Sequence, residues 1–393
     1  MGLRPRRRLP AGRLSAPPRR PGRSRPGPIT RITVDMEEHP MSQQQTPAVA
    51  PSARTGWLPA PVGELMPLVT GLGAGLALCT ACELGLPDAV EEEPTRVQDI
   101  AERAGADPDL VGRLLRALAA FGVFSPAGTD RFTHSRLSSI LRTDALEGGG
   151  VFLQTVRDEW MGGSWTGLTE AVRTGSPALP ARHGKSLFEY FATDAPREGE
   201  TFNEAMTLMV GSMNEVLAEH IDVGGATRYV DVGGGQGTML RAVLRRNPEL
   251  RGVLFDLEQA LTEVHEELRT GDLSGRCEIV PGDGLRSVPD DADIYQMRTV
   301  LHMWDDETCV RLLRNCARAA KPGARIIVID QLVDPERPDP MSTLMDLQMF
   351  LIAGGRERSE QEFASLFERA GLEFTRVVRT PVLLHLIEAI VPA

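Results

Sequence analysis

From Ala226 onward, short apolar segments alternate with amphipathic helical ones, and this rhythm constrains the fold more than any other feature. It predicts an α/β fold with a parallel sheet and helices on both faces. The predicted strands are Arg228 to Val232, Gly252 to Asp256, Cys277 to Pro281, Ile294 to Met297, Arg325 to Asp330, and a pair near Thr375 to Arg379 and Leu383 to Val391. Helices are predicted at 237–246, 258–270, 307–320 and 359–370. Because open sheets bind ligands at the carboxyl ends of their strands, functional residues are expected there.

The first of these strands ends in a glycine-rich turn, Asp231-Val232-Gly233-Gly234-Gly235-Gln236-Gly237, which leads into a helix. Glycine permits a tight turn and a close approach of ligand to backbone, and a helix start offers unpaired N–H donors. A dinucleotide fingerprint G-x-G-x-x-G from Gly233 would need glycine at 238, where threonine stands. The turn therefore predicts ligand binding without the dinucleotide signature, and on its own it is not specific.

Polar residues also follow the next three predicted strands. Asp256 closes the second strand, where a carboxylate can accept both hydroxyl hydrogens of a ribose. Gly282-Asp283-Gly284 follows the third, and the short Asp283 side chain can reach an adenine amino group. The fourth leads through Arg298 to His302. Acids at successive strand ends need water or a ligand, so these residues together favour a binding site at this edge.

Residues 57–145 precede the predicted sheet and have a different pattern. An apolar helix over Trp57 to Val90 presents one broad face, and the following residues predict a helix over Val97 to Ala104, a second over Pro108 to Phe121 and a hairpin turning at Ala127 to Asp130. This is the outline of a winged helix, which raises the alternative of a DNA-binding regulator. The second helix offers only Arg113 and Arg116 as basic residues, whereas a recognition helix needs exposed basic and amide side chains. We therefore expect a packing or dimerisation surface, and no nucleic-acid partner.

Residues 146–222 are predicted to be helical, with breaks at Gly148 to Gly150, Gly162 to Gly163 and Gly175 to Pro180. Large apolar side chains recur in this segment, and most such side chains belong to a core. A few could line a pocket for a flat ligand. The candidates for substrate contact are Phe152, Trp160 and Met206, together with Met303 from the sheet region.

Residues 1–50 form an Arg/Pro-rich segment whose composition favours disorder. Residues 1–34 carry ten arginines and no acid, so the rest of the chain is strongly acidic, which again disfavours a nucleic-acid partner. Translation starting at Met36 or Met41 is an alternative to a functional tail.

Five cysteines without a regular framework suit a cytoplasmic protein. The longest apolar run, Leu68 to Cys82, is too short to span a bilayer, so no membrane association is expected.

Six motifs in a fixed order support a family resemblance from about residue 57 to the C-terminus. The motifs are YVDVGGGQG, the Asp of FDLE, the GDG of PGDGL, MRTVLHMWDDE, KPGARIIVID, and DLQMFLIAGGRERSEQEF followed by AGL. They resemble those of S-adenosylmethionine-dependent O-methyltransferases of the plant caffeate and bacterial polyketide type. The resemblance implies a Rossmann-like class I methyltransferase sheet at 223–393, an N-terminal, mainly α winged-helix dimerisation domain, S-adenosylmethionine as cofactor, and a homodimer.

The resemblance also implies roles for individual residues. The implied cofactor-binding residues are Asp231, Gly233, Gly234, Gly235, Asp256, Gly282, Asp283, Gly284 and Arg298. His302 is the implied general base, and Asp330 and Glu357 are the acids that orient its ring. Departures from the family are Met303 in place of a frequent Asp, Asp330 in place of the plant Glu, and Arg298 in place of the plant Lys. These departures affect substrate fit more than reaction type.

The chemistry of methyl transfer agrees with this assignment. A sulfonium methyl donor is already activated, so the reaction needs a phenolate, an in-line approach and a dry pocket. A neutral imidazole can take the proton of a phenol, whose pKa is about 10, as the oxygen attacks. We therefore expect methylation of a phenolic hydroxyl on an aromatic, polyketide-derived small molecule, without a metal ion. The alternative is a hydroxylase or decarboxylase of the same fold, and the presence of His302 argues against it, because those relatives have lost the histidine.

Overall fold

A computed structural model describes residues 62–145 and 149–392. The predictions for the Arg/Pro-rich segment 1–50, for the alternative starts at Met36 and Met41, and for a helix start at Trp57 lie outside the described residues.

The N-terminal part contains five helices and a small antiparallel sheet among the described residues. The elements are α1 (Val62–Glu83), α2 (Leu86–Ala89), β1 (Thr95–Arg96), α3 (Val97–Ala104), α4 (Pro108–Ala120), β2 (Phe124–Pro126), β3 (Arg131–His134) and α5 (Arg136–Ser139). The strands pair in the order β1-β3-β2. Asp107 caps α4 by accepting a 3.0 Å hydrogen bond from the Leu110 N–H. The predicted helices at 97–104 and 108–121 and the hairpin of a winged helix are confirmed. The apolar helix predicted to reach Val90 instead ends at Glu83, and the short α2 follows after Gly85, whose φ of 64° breaks the helix.

Helix α1 is longer than the apolar run within it. It begins at Val62, and its apolar residues on one side are exposed: Val62, Leu65, Leu68, Val69, Leu72 and Leu76. With 22 residues, it is the one described helix that is long and apolar enough to cross a membrane. The expectation that no apolar segment reaches this length is therefore wrong for α1, because the helix continues through Pro67 in its N-terminal part. Length and composition alone do not establish a membrane segment, and this face requires some other covering surface.

The middle segment is helical, as predicted, and the break predicted at Gly175 to Pro180 is confirmed at 175–177, whereas the other two breaks differ. It contains α6 (Gly149–Thr155), a π-helical turn (Glu159–Gly163), α7 (Ser164–Thr166), α8 (Leu168–Thr174), α9 (Ala178–His183), α10 (Leu187–Thr193) and α11 (Pro196–His220). The predicted break at Gly148 to Gly150 is wrong where the structure describes it, because α6 starts at Gly149. A methyl group at Gly150 would overlap the carbonyl oxygen of Leu141, so glycine is needed here for packing. The break predicted at Gly162 to Gly163 is also wrong, since both residues lie in the π-helical turn.

A seven-stranded sheet forms the C-terminal part, with strand order β6-β5-β4-β7-β8-β10-β9. Its strands are β4 (Arg228–Val232), β5 (Arg251–Asp256), β6 (Cys277–Pro281), β7 (Ile294–Arg298), β8 (Arg325–Asp330), β9 (Glu373–Val378) and β10 (His385–Ile390). Strands β4 to β8 are parallel, and β10 runs antiparallel to both β8 and β9. The chain passes from β4 outward to β6 and then returns to β7 beside β4, so the switch point lies between β4 and β7. Ligands of open α/β sheets bind at such a crevice.

Helices cover both faces of this sheet, and alternate strand residues supply its two apolar cores. One core contains Val230, Met297 and Val328, and the other contains Tyr229, Leu254 and Ile327. The described helices of this part are α12 (Thr238–Arg246), α13 (Glu266–Arg269), α14 (Asp306–Ala319), α15 (Pro340–Ala353) and α16 (Glu360–Ala370).

One helical prediction in this region is wrong, and one helix was missed. The segment 258–270 is not one helix, because it divides into a 3₁₀ turn (Glu258–Leu261) and the short α13. Between them, the His265 N–H donates to the Gln236 carbonyl at 2.9 Å, which ties the chain to the glycine turn. Helix α15 was not predicted, because its apolar residues show no single face. Its start is nevertheless marked by Asp339, which accepts hydrogen bonds from the N–H groups of Met341 and Ser342.

Candidate active site

The glycine turn and the His302 loop follow the adjacent strands β4 and β7. Gly233 and Gly235 have φ values of 71° and 54°, a region that strongly favours glycine. A methyl group on Gly233 would lie 2.7 Å from the Val300 side chain, so the turn packs directly against the loop that carries His302. The predicted cofactor turn and the predicted base are therefore neighbours in the fold.

Asp256 connects the end of β5 to the glycine turn. Its carboxylate accepts hydrogen bonds from the Gly235 N–H at 2.8 Å and the Leu257 N–H at 2.7 Å. Burial raises the pKa of Asp256, and these two N–H groups act in the opposite direction. Each oxygen of a carboxylate has a further lone pair, so Asp256 can still accept from the two hydroxyls of a ribose.

The turn after β6 also comes close to neighbouring side chains. A methyl group at Gly282 would lie 2.5 Å from the Phe255 ring, and one at Gly284 would lie 2.9 Å from Leu312. The Phe255 ring thus leaves no room for a side chain at Gly282, and a side chain at Gly284 would have to displace the end of Leu312. Asp283, between them, is half-buried and accepts a 2.9 Å hydrogen bond from the Leu285 N–H. Its carboxylate also remains available to a ligand.

Asp231 lies beneath the glycine turn, where it is buried. Its Oδ2 has no hydrogen-bond partner among the described residues, and a methyl group on Gly234 would lie 2.7 Å from this oxygen. Burial raises the pKa of Asp231 to about 7, although the nearby Arg298 charge opposes the rise. This placement suits support of the turn better than direct contact with a ligand.

Arg298, at the end of β7, lies near both Asp231 below the glycine turn and Asp330 beside His302. Burial lowers its pKa, and the charges of Asp231 and Asp330 oppose this change. Its Nη1 donates to Asn214 Oδ1 on α11 at 3.0 Å, and Asn214 Nδ2 donates to Thr238 Oγ1 at 3.0 Å. Asn214 was not among the predicted site residues, because no local pattern shows that α11 packs against the turn.

His302 is held at the end of β7 by a carboxylate from a distant segment. Its Nδ1 lies 2.9 Å from Glu357 Oε1 and 3.9 Å from Asp330 Oδ1. The first distance is a hydrogen bond and the second is too long for one, so Asp330 acts on the ring through its charge. The expectation that both acids orient the ring by contact is therefore corrected for Asp330.

The environment favours a charged imidazole. Burial alone would lower the pKa of His302, but Asp330 and Glu357 outweigh it and raise this pKa. Burial also raises the pKa of Asp330. Because a carboxylate only accepts hydrogen bonds, we assign the hydrogen to Nδ1, which leaves the lone pair on Nε2. That tautomer is the one a general base requires.

The backbone before His302 is strained. Thr299 has a φ of 52°, which is uncommon for a residue other than glycine. The turn is held by the Thr299 N–H, which donates to the Ile329 carbonyl at 2.9 Å. Strained residues of this kind concentrate at functional sites, where the surrounding structure fixes them.

Apolar side chains from three segments surround the loop of His302. Trp160 and Met303 belong to one apolar cluster, which also includes Phe191 and, from α15, Met349 and Ile352. Phe152 and Met206 are half-buried but are not part of this cluster, so the structure brings together only two of the four predicted substrate residues. The contribution of α15 was missed together with the helix.

The ligand atoms of His302, Asp330 and Glu357 all lie within 4.8 Å of one another, a spacing that a metal ion could also use. The same arrangement serves proton transfer, since a carboxylate that holds the second ring nitrogen orients the base. Metal-independent transfer therefore stays a prediction.

Comparison with known proteins extends these observations. The O-methyltransferase domain model matches residues 165–373, and the O-methyltransferase dimerisation domain model matches residues 66–144. The mitomycin biosynthesis 6-O-methyltransferase of Streptomyces lavendulae is 37% identical over 338 residues, which cover 86% of this chain and 95% of that protein.

Solved structures give the same result. The mitomycin 7-O-methyltransferase MmcR has a TM-score of 0.77 at 37% identity, over 84% of this chain and 97% of that one. NcsB1 from neocarzinostatin biosynthesis, solved with S-adenosylmethionine and 2-hydroxy-5-methyl naphthoic acid, has a TM-score of 0.67 at 30% identity, over 80% of this chain and 95% of that one. These likenesses confirm the predicted fold class, enzyme class and cofactor at the level of the family. The chain belongs to the O-methyltransferase family in which a dimerisation domain precedes the methyltransferase domain.

Proposed function

We propose that this protein transfers the methyl group of S-adenosylmethionine to a phenolic hydroxyl of an aromatic natural-product intermediate, with His302 as the general base. The observation that carries the proposal is the Glu357-held imidazole in the loop after β7, the strand that pairs with β4 and so brings this loop beside the glycine turn. The names of the relatives, which refer to mitomycin biosynthesis and to a naphthoic acid, support an aromatic natural-product acceptor, and a polyketide origin stays a prediction.

The residues present fit the cofactor. Asp256 would hold the ribose hydroxyls, Asp283 the adenine amino group, and the open face at Gly235 would receive the ligand, since a methyl group there would meet no atom within 4 Å. When bound, S-adenosylmethionine supplies an electrophilic methyl group on a sulfonium. Arg298 and Asp231 would support this site from below.

The chain itself supplies the base and the dry pocket. Nε2 of His302 takes the phenolic proton as the oxygen attacks, and the carboxylates of Glu357 and Asp330 stabilise the imidazolium that forms. Trp160, Met303 and Met349 exclude water from the acceptor. These roles are all proposals for residues whose positions are given above.

The pH dependence of turnover should report the raised pKa of His302. Because the base must be neutral, kcat/KM should fall toward acid pH through an apparent pKa above the usual value of about 6.5 for histidine. Glu357→Gln removes a charge that raises this pKa, so the acid limb should move to lower pH. Steady-state kinetics between pH 5 and 9, roughly the range where histidine titrates, measure the acid limb of the wild type and that of Glu357→Gln. Identical limbs in the two proteins would contradict the assigned contact.

The reaction itself is tested with labelled S-adenosylmethionine and a panel of phenols. We expect a product heavier by one methyl group, formation of S-adenosylhomocysteine, and unchanged turnover after chelation with EDTA and dialysis. The methyl ethers of the same phenols lack the acceptor hydroxyl; they are the matched controls and should not react. An oxygen-dependent product without S-adenosylhomocysteine would instead identify the hydroxylase or decarboxylase alternative, and salt-sensitive duplex binding in a gel shift would identify a regulator.

We also infer that a second copy of the chain covers the exposed apolar face of α1. The match to a dimerisation domain and the exposure of Leu68 and Leu72 support this inference. A double substitution of both residues to Glu should convert the dimer into a monomer of about the 42.8 kDa chain mass in sedimentation analysis. Val172→Glu is the control, because Val172 is exposed and lies outside the dimerisation domain match at residues 66–144; this variant should remain dimeric. A wild-type protein that sediments as a monomer would refute the dimer.

Other features support the remaining proposals. Separate apolar clusters in 77–153 and on the sheet support a division into an N-terminal domain and a sheet domain. The first cluster includes Leu153 and one sheet cluster includes Leu217, so the exact limits 57–145, 146–222 and 223–393 stay proposals. All five cysteines are free thiols, which supports a cytoplasmic location.

A further inference from the structure

We propose that Arg358 is the positioning residue that fixes the base His302 and its carboxylate partner Glu357 relative to one another. The inference rests on the proposed function, since it concerns the geometry of the proposed base. Arg358 is the largest side chain with no exposed surface in the described part of the chain, and it follows Glu357 directly.

The guanidinium joins the two segments that carry the catalytic pair. Its five hydrogen bonds run from Nη1 to the carbonyl oxygens of Leu301 (3.1 Å) and Arg356 (3.3 Å), from Nη2 to the Trp304 carbonyl (2.8 Å) and Asp306 Oδ1 (2.7 Å), and from Nε to Asp306 Oδ1 (3.0 Å). Leu301 and Trp304 lie on either side of His302 in the sequence, and Arg356 directly precedes Glu357. One rigid planar group therefore fixes both segments at once.

The backbones of the two segments also touch. The Arg356 N–H donates to the His302 carbonyl at 2.9 Å, and a methyl group on Gly355 would overlap that same carbonyl oxygen. Asp346 on α15 accepts a 2.8 Å hydrogen bond from the Glu357 N–H. The backbone that carries Glu357 is thus held from α15 and from the loop of His302, and Arg358 is the side chain that spans the junction.

The buried charge of Arg358 has a second effect. The charged groups that act on His302 are Asp330 at the end of β8, Glu357, and Arg358, and the Arg358 cation lowers the pKa that the two acids raise. A buried cation is costly unless it is paired and hydrogen-bonded, and here carbonyl oxygens and Asp306 satisfy it. Geometry and charge can therefore be separated by substitution.

The experiment compares Arg358→Gln, which removes the charge, with Arg358→Lys, which keeps it but cannot donate in the same fork. Arg276→Gln is the matched control, because Arg276 also binds backbone carbonyls, those of Leu244, Asn247 and Leu250 at 2.9 Å, before β6 at the opposite end of the strands. Each protein is measured for kcat, KM, cofactor affinity by calorimetry, and the titration of His302 by NMR without cofactor or acceptor.

We expect both Arg358 variants to lose about 10²-fold in kcat, the size of effect that a displaced catalytic group produces. Cofactor affinity should stay within about twofold of wild type, well inside the tenfold that 1.4 kcal/mol represents. Arg358→Gln should shift the His302 titration to higher pH, and Arg358→Lys should leave it near its original position. Arg276→Gln should lower thermal stability without changing kcat or the titration.

The proposal is overturned if folded Arg358→Gln keeps the wild-type kcat and the wild-type His302 titration. If that variant does not fold, Asp306→Asn replaces it, because Asp306 is partly exposed and its loss removes one partner of the guanidinium. An unchanged kcat in Asp306→Asn and in Arg358→Lys would equally overturn the proposal. If Arg358→Gln shifts the His302 titration while a separate His302→Ala variant keeps full activity, the Arg358 contact is supported and the role of His302 as base is refuted. The failure of the further inference and the failure of the proposed function are therefore distinguishable.

Discussion

Replacement of His302 with alanine is expected to lower kcat for methyl transfer by about 10²- to 10⁴-fold, the range for loss of a general base. Cofactor affinity should remain near the wild-type value, since Asp256 keeps its hydrogen bond from the Gly235 N–H of the glycine turn. The reason for the loss is that the variant lacks the imidazole whose Nε2 is proposed to accept the phenolic proton. Single-turnover kinetics separate this effect from binding and product release.

A matched control and a substrate series sharpen this test. His220→Ala removes a histidine whose Nδ1 binds only a carbonyl of its own helix, at Val216, and it should keep full activity. More acidic phenols, such as halogenated ones, are already partly ionised, so His302→Ala should lose less activity with them. Full turnover of a weakly acidic phenol by His302→Ala would show that another group accepts the proton.

Asp256→Ala should weaken cofactor binding by roughly 10- to 100-fold, because hydrogen bonds to a charged group contribute about 1.5–3 kcal/mol. Part of the loss should come from the turn itself, since Asp256 also accepts from the Gly235 N–H. Calorimetric titration with S-adenosylhomocysteine measures the change without catalysis.

Two further variants assign this loss. Asp256→Asn keeps an oxygen for the Gly235 N–H but loses the charge, so it should bind more tightly than Asp256→Ala and less tightly than the wild type. Asp272→Ala removes an exposed carboxylate elsewhere and should have no effect. If Asp256→Ala retained the wild-type affinity, the ribose role would be abandoned.

The strands were predicted well because each is a short apolar run bounded by charged residues or glycine. Arg228–Val232, Cys277–Pro281 and Arg325–Asp330 match the structure at both ends. The carboxyl ends of β5, β7 and β8 carry Asp256, Arg298 and Asp330. The edge of the sheet that holds the site therefore followed from the sequence as well.

The errors have two physical sources. A glycine was taken as a break at Gly150 and Gly162, whereas both are needed because a neighbouring carbonyl leaves no room for a side chain. Helix α15 shows no polar face, since it is covered on more than one side, so its periodicity was absent.

The contacts that complete the site are not local in sequence. Glu357 lies 55 residues from His302, and Asn214 lies 84 residues from Arg298. The motif GGRER gave the position of Glu357 through resemblance, but nothing in it shows that Arg358 is buried while Arg356 is exposed. Only the packing of this loop against the loop of His302 and the start of α14 distinguishes the two arginines.

A crystal structure of the wild-type protein with S-adenosylhomocysteine and a phenol identified by the labelling assay tests the central claim most directly. We expect Nε2 of His302 within about 3.2 Å of the phenolic oxygen, a hydrogen-bond distance, with Nδ1 still on Glu357. A phenolic oxygen beyond the reach of Nε2, held by some other side chain, would contradict the assignment of His302 as the base.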